Sequence, residues 1–95
     1  MKKVVTTPPV EVALRMLDAN GRRKVHAWFT HLANWDGDAF IRSHSHSLDS
    51  VPGVYVLKTS TDLRVFFRID GETVTILDVG SKQSILASGD VSGVG

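Results

Sequence analysis

The chain has no cysteine, few prolines and a single tyrosine among its 95 residues. Without cysteine there is neither a disulfide framework nor a thiolate metal site. Long apolar runs are also missing: stretches such as Val54 to Leu57 are far shorter than the roughly 20 residues that span a bilayer. The segment after the N-terminal Met-Lys-Lys lacks the apolar length of a signal peptide. We therefore expect a cytoplasmic protein without cofactor, metal or membrane contact.

An excess of charge of one sign is likewise absent. The formal net charge is +1 and the sequence pI is about 8.2, whereas nucleic-acid-binding domains usually exceed a pI of about 9. Any basic site must therefore be local. The length and the hydrophobic fraction of 42% predict one small domain, residues 1–95.

The first half of the chain is predicted to contain a strand and a helical hairpin. Lys3 to Thr6 is β-prone, and apolar residues recur at helical spacing from Val10. Asn20-Gly21 is a plausible break, followed by a second helix from about Arg22 to Asn34. We expect residues 35–51 to be irregular and residues 88–95 to fray.

Residues 53–82 predict a three-stranded antiparallel meander. The Asp70-Gly71 pair lies between two β-rich runs, which is typical of a type I′ hairpin turn. With those two residues as the loop, Ile69 faces Glu72 and Phe67 faces Val74.

Strand alternation then divides the hairpin into two faces. One face is apolar and is expected to cover the helices; it contains Leu63, Val65, Phe67 and Ile69. The other contains Arg64, Phe66 and Arg68, with Leu77 expected on the paired strand. The fold class predicted is α+β: a short N-terminal strand, a helical hairpin and a three-stranded meander, with the helices on one sheet face.

This order of elements resembles the RelE/ParE toxin superfamily of bacterial type II toxin–antitoxin systems. The resemblance is clearest over residues 51–82, in the segments from Val51 to Lys58, from Leu63 to Gly71 and from Val74 to Ser81. In the N-terminal half it is one of pattern only.

The resemblance implies a toxin held inactive by a cognate antitoxin in a hetero-oligomer. Two activities occur in the family: ribosome-dependent cleavage of mRNA, and inhibition of DNA gyrase. In the first, basic residues stabilise the charge that develops when a ribose 2′-OH attacks the adjacent phosphate.

Carried over by position, Arg64 matches the functional arginine of the third meander strand and Lys82 matches a basic residue after the valine-glycine pair. Lys58 lies one residue out of register with a basic position of the second strand. We expect these three to be catalytic, and Arg68 to contact substrate or antitoxin. Exposed arginines and strand-end lysines are also common without any function.

Expected catalytic side chains are missing at several positions. Ser81 stands where many active members have histidine, and the C-terminal tyrosine is replaced by Leu86 or Ser88, depending on register. The chemistry would then depend on basic residues alone, or on a histidine of the preceding loop.

His44 and His46 are the candidate acid and base, because i, i+2 spacing puts both imidazoles on one side of an extended segment. The alternatives are a metal ligand pair and a solvated loop. No local carboxylate or cysteine completes a zinc site, although Asp36, Asp38 and Asp49 are near in sequence.

Two aromatic residues near the end of the second helix, Trp35 and Phe40, are expected in the core, the alternative being an antitoxin or oligomer contact. For the whole chain, the alternatives to an mRNA endonuclease are a non-enzymatic gyrase inhibitor of the same fold and a degenerate member with only a regulatory role. The missing tyrosine and the low net charge favour the inhibitor.

Overall fold

The computed structural model describes residues 1–59 and 62–81. Its strands are β1 (Lys3–Thr6), β2 (Ser45–Ser47), β3 (Val54–Lys58), β4 (Leu63–Asp70) and β5 (Thr73–Ser81), and its α-helices are α1 (Pro8–Met16), α2 (Ala19–Ala33) and α3 (Ala39–Ser43). A short 3-10 helix, Trp35–Gly37, lies between α2 and α3. Lys82, Leu86, Ser88 and the expected frayed tail lie outside the described residues.

The five described strands form one mixed sheet in the order β1-β5-β4-β3-β2. β1 runs parallel to β5, and the other neighbours are antiparallel. The predicted α+β class, N-terminal strand, helical hairpin and meander are confirmed. The sheet is wider than the expected meander, because β1 joins it at one side and β2 at the other.

The helices cover one face of the sheet, as predicted. They contribute Val10, Leu14, Val25, Phe29, Leu32 and Ile41 to a core whose sheet members are Leu57, Val65, Phe67, Val74, Ile76 and Val79. We call this the inner face of the sheet. The opposite one, called the outer face, carries the residues that alternate with these core positions.

The helix boundaries differ from the prediction. α1 begins at Pro8, because proline suits the first turn of a helix, where its missing N–H has no partner to lose. The break falls at Leu17-Asp18, not at Asn20-Gly21. Asp18 caps α2 by accepting a hydrogen bond from the Gly21 N–H at 2.7 Å.

Residues 35–51 are more ordered than expected. They contain the 3-10 helix, α3 and β2. Asp38 caps α3 by accepting a hydrogen bond from the Ile41 N–H at 3.2 Å, and Ile41 is fully buried. The prediction of an irregular linker was wrong because a five-residue helix and a three-residue strand are too short to show a period.

The hairpin register also differs, by two residues. The loop is Gly71-Glu72, since Asp70 pairs with Thr73 and Ile69 with Val74. Of the two loop residues, Gly71 has a positive φ of 59° and Glu72 does not. This is the pattern of a type II′ turn with glycine at the first central position. A shift of two keeps the side chains of β4, and those of β5 up to Ile76, on their predicted faces.

Candidate functional site: the outer face of the sheet

The outer face brings two predicted catalytic residues together. Lys58 on β3 and Arg64 on β4 are direct partners across the antiparallel ladder. Their side chains therefore lie on the same face with Cβ atoms about 5 Å apart. Lys58 is exposed and Arg64 is half-buried, and the Arg64 Nη1 donates to the Leu63 carbonyl at 3.1 Å. The two cations can approach one phosphate group from neighbouring strands.

Two further β4 side chains extend this basic surface along the strand. Phe66 and Arg68 follow Arg64 at intervals of two residues and share its face. Phe66 is half-buried opposite Val56, and Arg68 is exposed opposite Val54. An aromatic ring thus lies between two guanidinium groups on the strand, as the alternation predicted.

His46 joins the same face from the sheet edge. It pairs with Val56, which pairs in turn with Phe66, so the three lie in one row across β2, β3 and β4. His46 is exposed. Among the residues that the structure describes, it is the histidine placed on this face, one row from the Lys58 and Arg64 pair.

His44 lies elsewhere, so the prediction of two imidazoles on one side of an extended segment was wrong. His44 is the C-cap of α3 with φ −95° and ψ 2°, which is not extended. Its Nδ1 donates to the Phe40 carbonyl at 2.9 Å. Its backbone remains near the site, because its carbonyl accepts from the Lys58 N–H at 2.9 Å.

Asp78 is an acidic member of the outer face that the sequence analysis missed. A register shift between Phe66 and Phe67 makes Asp78, and not Leu77, the partner of Phe66. The Asp78 carboxylate accepts from the Val79 N–H at 2.8 Å. No sequence signal marks the bulge, so the position of Asp78 could be seen only in the folded sheet.

A second cluster of rings lies on the helices beside the β2 edge of the sheet. Trp28 of α2 and Phe40 of α3 stack with centroids 5.7 Å apart and planes 13° from parallel. His44 lies 4.3 Å from Phe40, and His31 lies 5.6 Å from it. We call Trp28, His31, Phe40 and His44 the aromatic cluster. Phe40 is 50% exposed, so its predicted place in the core was wrong.

Trp35, in contrast, packs against the core as predicted. Its ring lies 5.3 Å from Tyr55 and 5.7 Å from Phe67. The difference between the two residues follows from the 3-10 helix, which turns the chain between them. Trp35 contacts the inner face of the sheet, and Phe40 is left on the outside of α3.

A side-chain hydrogen bond joins α2 to the start of α3 beside the aromatic cluster. The His31 Nδ1 lies 2.7 Å from the Asp38 Oδ2, while the Asp38 Oδ1 accepts from the Ile41 N–H. The hydrogen bond with His31 is the largest of the influences that hold the pKa of Asp38 below its ordinary value. Asp38 thus fixes the position of α3 on α2.

Residues 1–59 and 62–81 offer no ready-made metal site. Within those ranges, no group of three or more His, Asp or Glu side chains is arranged to hold a metal ion. No helix there is long and apolar enough to cross a bilayer.

Comparisons with known proteins give matches by structure. No family model matches the sequence, and no curated protein matches it either. The isolated RelE toxin of E. coli superposes with a TM-score of 0.67 at 18% identity, covering 99% of each chain. The RelB-RelE antitoxin–toxin complex of Methanococcus jannaschii gives a TM-score of 0.71 at 10% identity, covering 88% of this chain and 96% of the other.

A mutant of YafQ from E. coli gives a TM-score of 0.68 at 13% identity, with 90% of this chain and 98% of that chain covered. The agreement extends over nearly the whole of each matched chain. The architecture of helices on one face of a mixed sheet is therefore that of a RelE-like toxin fold.

Proposed function

We propose that this protein is the toxin of a type II toxin–antitoxin system and that it cleaves mRNA on the ribosome. The observation that carries the proposal is the direct pairing of Lys58 with Arg64 on the outer face. Support comes from the fold, which the chain shares with RelE and YafQ structures at low sequence identity.

The chemistry is an internal phosphoryl transfer. The ribose 2′-oxygen attacks the adjacent phosphorus, the bond from phosphorus to the 5′-oxygen breaks, and a 2′,3′-cyclic phosphate and a 5′-hydroxyl end result. Lys58 and Arg64 stabilise the charge that accumulates on the phosphate oxygens in the transition state. Lys82 is proposed to add a third cation from the segment that follows β5.

Proton transfer needs a group that takes the 2′-OH proton and one that supplies a proton to the leaving oxygen. His46 is proposed for one of these roles, because it lies on the outer face one row from the cationic pair. His44 is not proposed for either, since it caps the end of α3 and its ring lies against Phe40 in the aromatic cluster. Arg68 is proposed to hold the RNA backbone beside the reacting phosphate.

The proposal is tested by primer extension on a message translated with purified ribosomes and purified protein. We expect ribosome-dependent cuts, and Arg64→Ala should reduce their rate about 100-fold or more, the usual loss when one transition-state donor is removed. Arg15→Ala is the matched control: it removes the same charge from an exposed position on α1 and should leave the cuts unchanged.

Cuts that survive Arg64→Ala would reject the proposed mechanism. Absence of cuts together with blocked gyrase supercoiling would instead identify a non-enzymatic inhibitor on the same fold. Circular dichroism of each variant shows whether the fold is intact.

A cognate antitoxin is part of the same proposal. Structures with this fold include the intact E. coli RelBE toxin–antitoxin complex, at a TM-score of 0.67 and 17% identity. Induction of the gene alone should arrest growth, and co-expression of the neighbouring open reading frame should restore it. Normal growth on induction alone would contradict the toxin proposal.

A further inference from the structure

The aromatic cluster is separate from the outer-face site, yet the chain connects them directly. His44 closes α3 and lies against Phe40, and its carbonyl accepts from the Lys58 N–H at 2.9 Å. Two residues later, His46 lies on the outer face. The cluster therefore lies close to the backbone of Lys58 at the β2 edge of the sheet.

The cluster has the composition of a base-stacking platform. Trp28 and Phe40 are stacked nearly parallel, and half of the Phe40 surface is exposed. Such exposure of a large aromatic side chain within a group of rings is typical of a contact surface. Aromatic rings bind nucleobases by stacking with little dependence on sequence, because every base has a π face.

An exposed lysine lies beside the rings. Lys24 lies one helical turn before Trp28 on the same face of α2 and is exposed. The cluster contributes two imidazoles, those of His31 and His44. The carboxylate of the neighbouring Asp38 is bonded to His31 and to the α3 backbone, so the positive charge available to an RNA phosphate is that of Lys24.

We propose that the aromatic cluster binds single-stranded RNA, stacking a nucleobase on Phe40 next to the nucleotide held by Lys58. The inference rests on the proposed function, because it takes the outer face as the place where RNA is cut. It adds a binding site outside that face, with RNA and not an acidic peptide as the occupant.

The test uses the intrinsic fluorescence of the cluster. The chain has two tryptophans, and Trp35 lies against the core, so Trp35→Phe leaves Trp28 as the reporter of the cluster. Titration with a short single-stranded oligoribonucleotide should quench Trp28 as a base stacks beside it. Saturable RNA binding without a change in Trp28 fluorescence would overturn the inference.

Substitution of Phe40 separates stacking from apolar contact. In the otherwise natural chain, measured by fluorescence anisotropy of a labelled oligoribonucleotide, Phe40→Leu should weaken binding about 5-fold or more, while Phe40→Tyr should keep it within about 2-fold. Met16→Ala on α1 is the matched control, because it removes another exposed apolar side chain. Equal affinity of Phe40→Leu and the natural chain would contradict stacking and would indicate that an apolar peptide contact explains the exposed ring.

The two proposals fail separately. If Arg64→Ala abolishes cleavage and the oligoribonucleotide still quenches Trp28, the aromatic cluster binds RNA independently of Lys58 and Arg64. If ribosome-dependent cuts occur and Phe40→Leu binds RNA as tightly as the natural chain does, RNA stacking on the aromatic cluster is rejected. The proposed endonuclease activity is then supported without it. Binding measurements on free RNA therefore test the cluster without relying on cleavage.

Discussion

At the scale of single residues, the hairpin turn depends on the backbone conformation of Gly71. Its φ of 59° lies in the left-handed region, and a Cβ built there would meet no atom within 4 Å. Space therefore does not restrict this position; only the backbone does. The carbonyl of Gly71 also accepts from the Lys2 Nζ at 2.7 Å, which ties the N-terminus to the hairpin.

We therefore expect Gly71→Ala to lower the free energy of unfolding by about 1 kcal/mol, because a residue with a Cβ is strained in the left-handed region. Gly71→Asn should cost less, since asparagine tolerates that conformation. Urea denaturation of the three proteins measures the difference. Equal stability of the alanine variant and the natural chain would contradict the turn assigned here.

At the scale of elements, the position of α3 depends on Asp38. Five residues are too few for a stable isolated helix, so α3 depends on its cap and on its contacts. Asp38 supplies the cap through one carboxylate oxygen and the link to α2 through the other. Both Phe40 and His44 are carried by this short helix.

The lowered pKa of Asp38 predicts the pH dependence of this arrangement. A carboxyl whose pKa is lower in the folded state binds fewer protons there than in the unfolded state, so its contribution is fully present above the unfolded pKa of about 4. The contribution is lost as the pH falls through the folded pKa. Asp38→Asn should therefore lower the urea midpoint at pH 7, and the deficit should shrink at about pH 3.

Asp49→Asn, at an exposed loop position, is the control for the loss of one negative charge. It should leave the midpoint nearly unchanged at both pH values. A deficit for Asp38→Asn that is the same at neutral and at acidic pH would show that the negative charge of Asp38, which His31 hydrogen-bonds, contributes nothing to stability.

At the scale of the whole molecule, the residues that stabilise the fold and those proposed for the chemistry lie on opposite faces of the sheet. Its inner face buries a core against the helices, and its outer face carries the basic residues, histidine and aspartate. Adjacent residues of β4 belong to different sides. Phe67 is fully buried, stacked 5.4 Å from Tyr55, whereas Phe66 lies on the outer face.

We therefore expect Phe67→Ala to cost about 3–5 kcal/mol, because it leaves a cavity in the core. This is a large share of the roughly 5–15 kcal/mol that stabilises a typical domain. Phe66→Ala is the neighbouring control and should cost much less. Thermal or urea unfolding measures both, and equal losses would contradict the assignment of the two faces.

Much of the fold could be predicted from the sequence because its signals are local. Alternation along Leu63 to Asp70 placed Arg64, Phe66 and Arg68 on one face, and the Asp-Gly pair located the hairpin to within two residues. Helical spacing identified α1 and α2. The pairing of Lys58 with Arg64 is of the same kind, because a short connection joins the ends of their strands.

The sequence by itself therefore determined the two-faced meander and the helices that cover it, since period and turn chemistry act over a few residues. Only the tertiary structure decided the parallel pairing of β1 with β5, the bulge that places Asp78 beside Phe66, the separation of His44 from His46, and the exposed stack of Phe40 on Trp28. These features depend on contacts between different elements of the fold. A local sequence pattern does not report the free energy of such contacts, so it could not predict them.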